Sequence, residues 1–179
     1  MPLSRPLVYV AAVAAYIAPP VLLASDIALV KFISTPGLIL QRIALVLFIP
    51  ALASIAMRAR VRARWQVGVG ASLAMAGAAA IALRPEALVV PIRPPAVLFP
   101  LGLLAVAAAM LRSPDVRRVA GLMAAGAALF PVGHVGGSAP VLFASDALLL
   151  VAFCRLAPRM ASANPKSQIP NPKSQRRGR

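Results

Sequence analysis

The chain has 179 residues, 60% of them hydrophobic and 13% charged, with a mean hydropathy of +0.84. A soluble domain carries roughly 45–50% apolar and 25% charged residues, so this balance excludes an ordinary water-soluble fold and places the apolar surface in lipid. The formal charge is +15, with Asp26, Glu86, Asp115 and Asp146 the only acids. The cations lie between apolar blocks and in the tail, with no aromatic-rich basic groove, which argues against nucleic acid and for anionic lipid headgroups as partners.

A spanning helix needs about 20 mostly apolar residues, and the apolar blocks match that length. The first runs from Leu7 to Ser25. It continues through 27–34 if the helix survives a kink at Pro19-Pro20. A cleaved signal peptide ending near Ala24-Ser25 is the alternative, but Leu22 fills a position where a small residue is preferred. Thr35-Pro36-Gly37 reads as a turn. The second block, Leu38 to Met57, carries Gln41, Arg42 and Pro50. A basic loop, Arg58 to Arg64, ends at the interfacial Trp65.

The third block, Gln66 to Leu83, is rich in small residues, with Gly70, Ala74, Gly77 and Ala78 on one face. Arg84 to Pro95 is a proline-rich break, followed by the fourth block, Ala96 to Leu111. In the basic loop Arg112 to Arg118, Ser113-Pro114-Asp115 reads as N-cap, first-position proline and first-turn acid. The fifth block, Val119 to about Val135, places Gly121 and Ala125 four residues apart. Gly133 to Ala139 reads as a glycine-containing turn, and the sixth block is Pro140 to about Leu156. Small-residue faces let helix backbones approach in lipid and offer a route to a homo-oligomer.

The tail repeats itself. Asn164-Pro-Lys-Ser-Gln-Ile-Pro170 is followed by Asn171-Pro-Lys-Ser-Gln175 and then Arg176-Arg177-Gly178-Arg179. It has no apolar face to dock and is expected to be disordered. The organisation expected is a helical membrane domain over 1–160 and a basic tail over 161–179.

Orientation follows from Lys and Arg placement. With both termini cytoplasmic, Lys31, Arg42, Arg84 and Arg93 fall outside and the other fifteen of the nineteen fall inside. The fold class expected is therefore all-α, a polytopic transmembrane bundle of about six helices with cytoplasmic termini. The location expected is the bacterial inner membrane.

One cysteine, Cys154, leaves no intrachain disulfide, and one histidine, His134, leaves no His-His ligand pair. No P-loop, GxGxxG, GxSxG or HExxH pattern occurs. No cofactor, metal or catalytic set is expected. Ionisable groups inside the apolar blocks are the sharper signal, because they are costly in lipid and face a partner or a cavity. At 1.5 Å per residue, Asp146 lies about 9 Å below the outer end, Asp26 about 12 Å and Arg42 about 7–8 Å. His134 and Lys31 cap the same layer. Asp26, Arg42, His134 and Asp146 are thus expected to form a buried polar or ligand-binding cluster, with Arg42 paired to a carboxylate.

Pro20-Val-Leu-Leu-Ala-Ser-Asp26 and Pro140-Val-Leu-Phe-Ala-Ser-Asp146 share a pattern. A 3+3 duplication would pair the first helix with the fourth, whereas this match pairs the first with the sixth. In an alphabet so rich in Ala, Leu and Val, chance produces such a match readily. The stretch Ser138-Ala139 to Ser145-Asp146-Ala147-Leu148-Leu149 also resembles the small-apolar-Ser-Asp-Leu motif near the end of the lysoplasmalogenase-like membrane family. That resemblance implies eight helices, lipid hydrolysis and a second acidic motif in mid-chain. The middle blocks here contain no acid, and Asp26 stands earlier than that motif. Three functions follow as expectations. The first is a non-enzymatic binding or accessory module, the second a lipid-acting hydrolase using Asp146 as acid/base with Arg42 or His134 on an anionic group, and the third a small-solute or proton carrier.

Overall fold

Hydrocarbon offers no water to backbone N–H and C=O groups, so apolar blocks satisfy them internally as helices. The computed structural model describes residues 5–32, 35–58, 64–83 and 94–162. It contains α1 (Arg5–Phe32), α2 (Thr35–Arg58), α3 (Arg64–Leu83), α4 (Pro94–Met110), α5 (Arg117–Gly136) and α6 (Ala139–Ser162). All but α4 are both long and apolar enough to cross a membrane, while α4 is apolar but shorter. The chain is a polytopic all-α membrane protein. The repeat tail from 163 onward, the basic loop 59–63 and the proline-rich break 84–93 lie outside the described residues.

Each helix packs against its neighbours in sequence, and α6 returns to pack against α1, so the six close into a ring. Short connections make sequence neighbours antiparallel. One end of the ring therefore carries the end of α1, the start of α2 and residues 137–138, and the other carries the start of α1, the end of α6 and the turn between α4 and α5. Exposed Arg64, Arg112, Arg117, Arg118, Arg155 and Arg159 gather at this second end. There Arg112 Nη1 donates to Gln66 Oε1 at 2.9 Å, and Arg159 donates to the Asp115 carbonyl.

Several boundaries differ from the sequence reading. α1 runs without a break through Pro19 and Pro20, and its buried stripe from Val8 to Asp26 faces the bundle. Thr35-Pro36-Gly37 is the first turn of α2 rather than a connection. Proline suits a first helical turn, where its missing N–H costs nothing. Pro114–Val116 form a single 3₁₀ turn after Ser113, whose side chain makes no capping bond, and α5 starts beyond it. Gly133 is inside α5. The stop is Gly137, in the left-handed region at φ 63°, which glycine adopts without a Cβ clash.

Small residues decide two of the helix contacts. A methyl group on Gly102 of α4 would fall 2.7 Å from Ala74 Cα, and one on Gly77 of α3 would fall 2.8 Å from Phe99 Cα. The α3 small face is thus backbone-to-backbone contact with α4. On α5, Gly126 and Gly133 meet α6, where a methyl group on Gly133 would lie 2.8 Å from Leu142 Cα. The expected packing pair Gly121 and Ala125 points the other way. Both are exposed, and nothing lies within 4 Å of a methyl group on Gly121.

Phe48 (α2), Phe99 (α4), Phe130 (α5) and Phe153 (α6) are fully buried. Their rings meet edge to face, with centroids 5.5 Å apart for Phe48–Phe99, 5.0 Å for Phe48–Phe153 and 5.4 Å for Phe99–Phe130. These are favourable quadrupole geometries, and they fill the middle of the ring.

Candidate functional site

Above this aromatic layer, towards the end carrying 137–138, the helices present polar groups on the same faces. His134 follows Phe130 by one turn. Asp146 precedes Phe153 by two turns and Gln41 precedes Phe48 by two, so side chains at i and i+4 or i+7 share a face. Asp26 stands one turn past the buried Leu22 on α1. Asp26 is six residues from the end of α1 and Gln41 six from the start of α2, so both lie about 9 Å from that end. Asp26 is 1% exposed, Gln41 2% and Asp146 0%.

The His134 side chain is 9% exposed, and its Nε2 lies 3.8 Å from Asp26 Oδ2. Its Nδ1 is 3.0 Å from the Phe130 carbonyl. A carbonyl only accepts, so Nδ1 carries the hydrogen and Nε2 presents its lone pair or a second proton to Asp26. The imidazole also lies against the Phe130 ring, with centroids 4.1 Å apart at 32°. Asp26 Oδ1 accepts from Ser25 Oγ at 3.4 Å. The Asp26 and Asp146 carboxyls are neighbours. Ser145 Oγ donates instead to the Gly126 carbonyl at 2.8 Å, tying α6 to α5 beside the site.

Asp26 Oδ2, His134 Nε2, Asp146 Oδ1 and Asp146 Oδ2 are buried and have no hydrogen-bond partner among the described residues. Buried polar atoms are nearly always satisfied, so an orphan asks for a missing partner. Here four orphans belong to three neighbouring side chains.

The two Pro-Val-Leu-x-Ala-Ser-Asp segments have the same alternation of exposed, half-buried and buried positions, residue for residue. Their helices pack together with opposite direction. Each segment delivers its aspartate to the same place, so the site has a local pseudo-twofold arrangement of acids that depth alone did not foretell.

Of the residues expected in this cluster, the structure brings Asp26, His134 and Asp146 together. Arg42 is a correction. Its side chain is exposed on the flank of α2, about 100° round the helix from Gln41, so it is not a member of the buried cluster. The Lys31 side chain lies outside the described residues. Gln41 was passed over, although its seven-residue spacing to Phe48 marks the inward face. Compared with known proteins, the chain matches no protein family, no curated protein and no solved structure.

Proposed function

We propose that Asp26, Asp146 and His134 form an acid–base site that hydrolyses a membrane amphiphile, with the polar part in the chamber and the apolar part among the helices. The observation that carries this reading is the set of four unpartnered buried atoms on the three side chains. A water molecule there satisfies carboxyl acceptors with its own protons. Two carboxyls side by side are most stable with one proton between them. The carboxylate then takes a proton from the attacking water, whose oxygen bonds to the electrophilic carbon. The carboxylic acid gives its proton to the departing oxygen.

Weight moves from a non-enzymatic module towards the hydrolase because two carboxyls and an imidazole gather in one buried site, while the mid-chain acid that the lysoplasmalogenase-like resemblance asks for is absent. The idea of an anionic group held by Arg42 is dropped as well. A carrier is less well supported. The ring of buried phenylalanines lies directly below the site, where a through-path would have to run. The gathering of exposed arginines at the end bearing the end of α6 supports cytoplasmic termini and contact with anionic headgroups there.

Vesicles carrying a lysoplasmalogen, or its ester-linked lysophospholipid counterpart, test the activity. Purified protein is expected to release product from one of them. Asp26→Asn and Asp146→Asn are expected to lower the rate about 100-fold or more while the bundle stays folded. A lipid retained in native mass spectrometry without turnover by the wild-type protein would return the site to a binding role. Reporter fusions after Arg64, Arg118 and Arg159 are expected to read cytoplasmic, and fusions near Pro36, Ile92 and Gly136 external.

A further inference from the structure

We infer that His134 is the group through which the buried carboxyl pair exchanges protons with the aqueous phase. The inference rests on the acid-pair reading above, but it concerns proton access and holds whether or not a lipid is hydrolysed.

Asp26 and Asp146 are sealed from solvent at 1% and 0% exposure, whereas the His134 side chain keeps 9%. His134 stands two residues before the last residue of α5, Gly136, about 3 Å from the helix end. It therefore borders both the water at that end and the carboxyl layer. The opposite direction is closed by Phe48, Phe99, Phe130 and Phe153, which offer no group that carries a proton.

The ring is held in one working orientation. Nδ1 donates to the Phe130 carbonyl at 3.0 Å, and the ring face rests on Phe130. Proton exchange is thereby assigned to Nε2, the nitrogen that faces Asp26 Oδ2 at 3.8 Å. That separation is about 1 Å beyond a hydrogen bond, and neither atom has another partner among the described residues. A small swing of the imidazole closes the gap without disturbing the helices. Histidine is the side chain suited to load and unload a proton near neutral pH.

The step is balanced by water alone. Nε2 is buried in the resting ring, so the ring first swings towards the helix end, where Nε2 takes a proton from hydronium and leaves water. On its return the Nε2–H bond breaks as an O–H bond forms on Asp26 Oδ2. The ring is left neutral with its Nδ1 hydrogen in place, and Asp26 shares the proton with Asp146. Among the described residues, the ionisable group facing His134 is Asp26 from α1, and Asp146 from α6 neighbours that carboxyl. The described part of α4, the other neighbour of α5, contains none.

Infrared spectroscopy of purified full-length protein in lipid nanodiscs tests this without a substrate. The carboxylic C=O band is followed after a jump from H2O to D2O, and assigned with Asp26→Asn and Asp146→Asn. The band is expected to shift promptly in the wild-type protein. In His134→Phe, which keeps the ring stack but has no nitrogen, exchange is expected to slow about 100-fold, the low end of what a positioned acid–base group supplies. Added imidazole should restore part of the rate. His134→Gln guards against a folding defect, since it keeps polarity but cannot ionise, and it should be equally slow. Exchange at the wild-type rate in either folded variant overturns the inference, as does the lack of any protonated carboxyl band in the wild-type protein. Failure of the lipid assay alone leaves this result intact.

Discussion

Gly77 on α3 and Asp26 on α1 are both buried in the same ring, yet their surroundings are opposite. A methyl group on Gly77 would meet the Phe99 backbone at 2.8 Å, so the α3–α4 seam has no room for even one carbon more. At the α1–α5–α6 corner, Asp26 Oδ2 has no hydrogen-bond partner among the described residues, and His134 Nε2 stands 3.8 Å away. One region is closed by shape alone. The other holds charge-bearing groups that the protein itself leaves unsatisfied. Lipid tails are as apolar as leucine, so helices in a membrane gain little from burying apolar surface and rely on close packing instead. The seam supplies that packing, and it allows the corner to keep a polar arrangement that contributes little to cohesion.

The comparison breaks first at the aromatic layer between the two regions. Phe48→Ala removes the ring that touches both Phe99 and Phe153, and is expected to cost about 3–5 kcal/mol in thermal unfolding in detergent. A cost well below 1 kcal/mol would mean that the centre is loosely filled, and would restore weight to a carrier. The seam comes next. Gly102→Val forces a branched side chain against the Ala74 backbone and is expected to cost about 1–3 kcal/mol. Gly121→Val, on the exposed face of α5, should stay within about 0.5 kcal/mol by the same measurement. Equal losses at the two sites would erase the distinction between packed and unpacked glycines.

At the corner, a double-mutant cycle on Asp26→Asn and His134→Gln is expected to show a coupling of about 1 kcal/mol, as for groups in one contact network. Additive losses would separate the two side chains energetically. The smallest effect is expected at Arg42→Ala, within about 0.5 kcal/mol and additive with Asp146→Leu. Strong coupling between those two would bring the guanidinium back into the chamber.

The last pair shows what the sequence could and could not say. Depth was legible, because a rise of 1.5 Å per residue converts distance from a turn into height. Asp26, Arg42 and Asp146 were placed in one layer on that basis, capped by Lys31 and His134; Asp26, His134 and Asp146 lie together, and Arg42 is exposed. The direction a residue faces was not legible for α2. The helix is apolar nearly all round, so no stripe distinguishes its inner side. Arg42 was chosen over Gln41 because it is charged, when the spacing to Phe48 favoured its neighbour. The same blindness affected α5, where Gly121 and Ala125 have the spacing of a packing pair but Gly126 and Gly133 make the contacts. The turns misread at Thr35-Pro36-Gly37 and Gly133 share one cause. Proline and glycine mark breaks in water, but in lipid they are accepted inside helices at a first turn or a close approach.

The closed ring also has a consequence for biogenesis. Synthesis delivers α1 first and α6 last, and the ring is sealed by the contact between those two. Until the final hairpin arrives, Asp26 waits in the bilayer without its two partners, since His134 and Asp146 are both carried by that hairpin. A carboxyl stranded in hydrocarbon is costly, so the early intermediate retains a strained first helix. Insertion of α6 brings the second acid to Asp26, and the same event assembles the site. A nascent chain stopped before Ala139 has neither the sixth wall nor the second acid, so closure of the ring and the appearance of the site are one step.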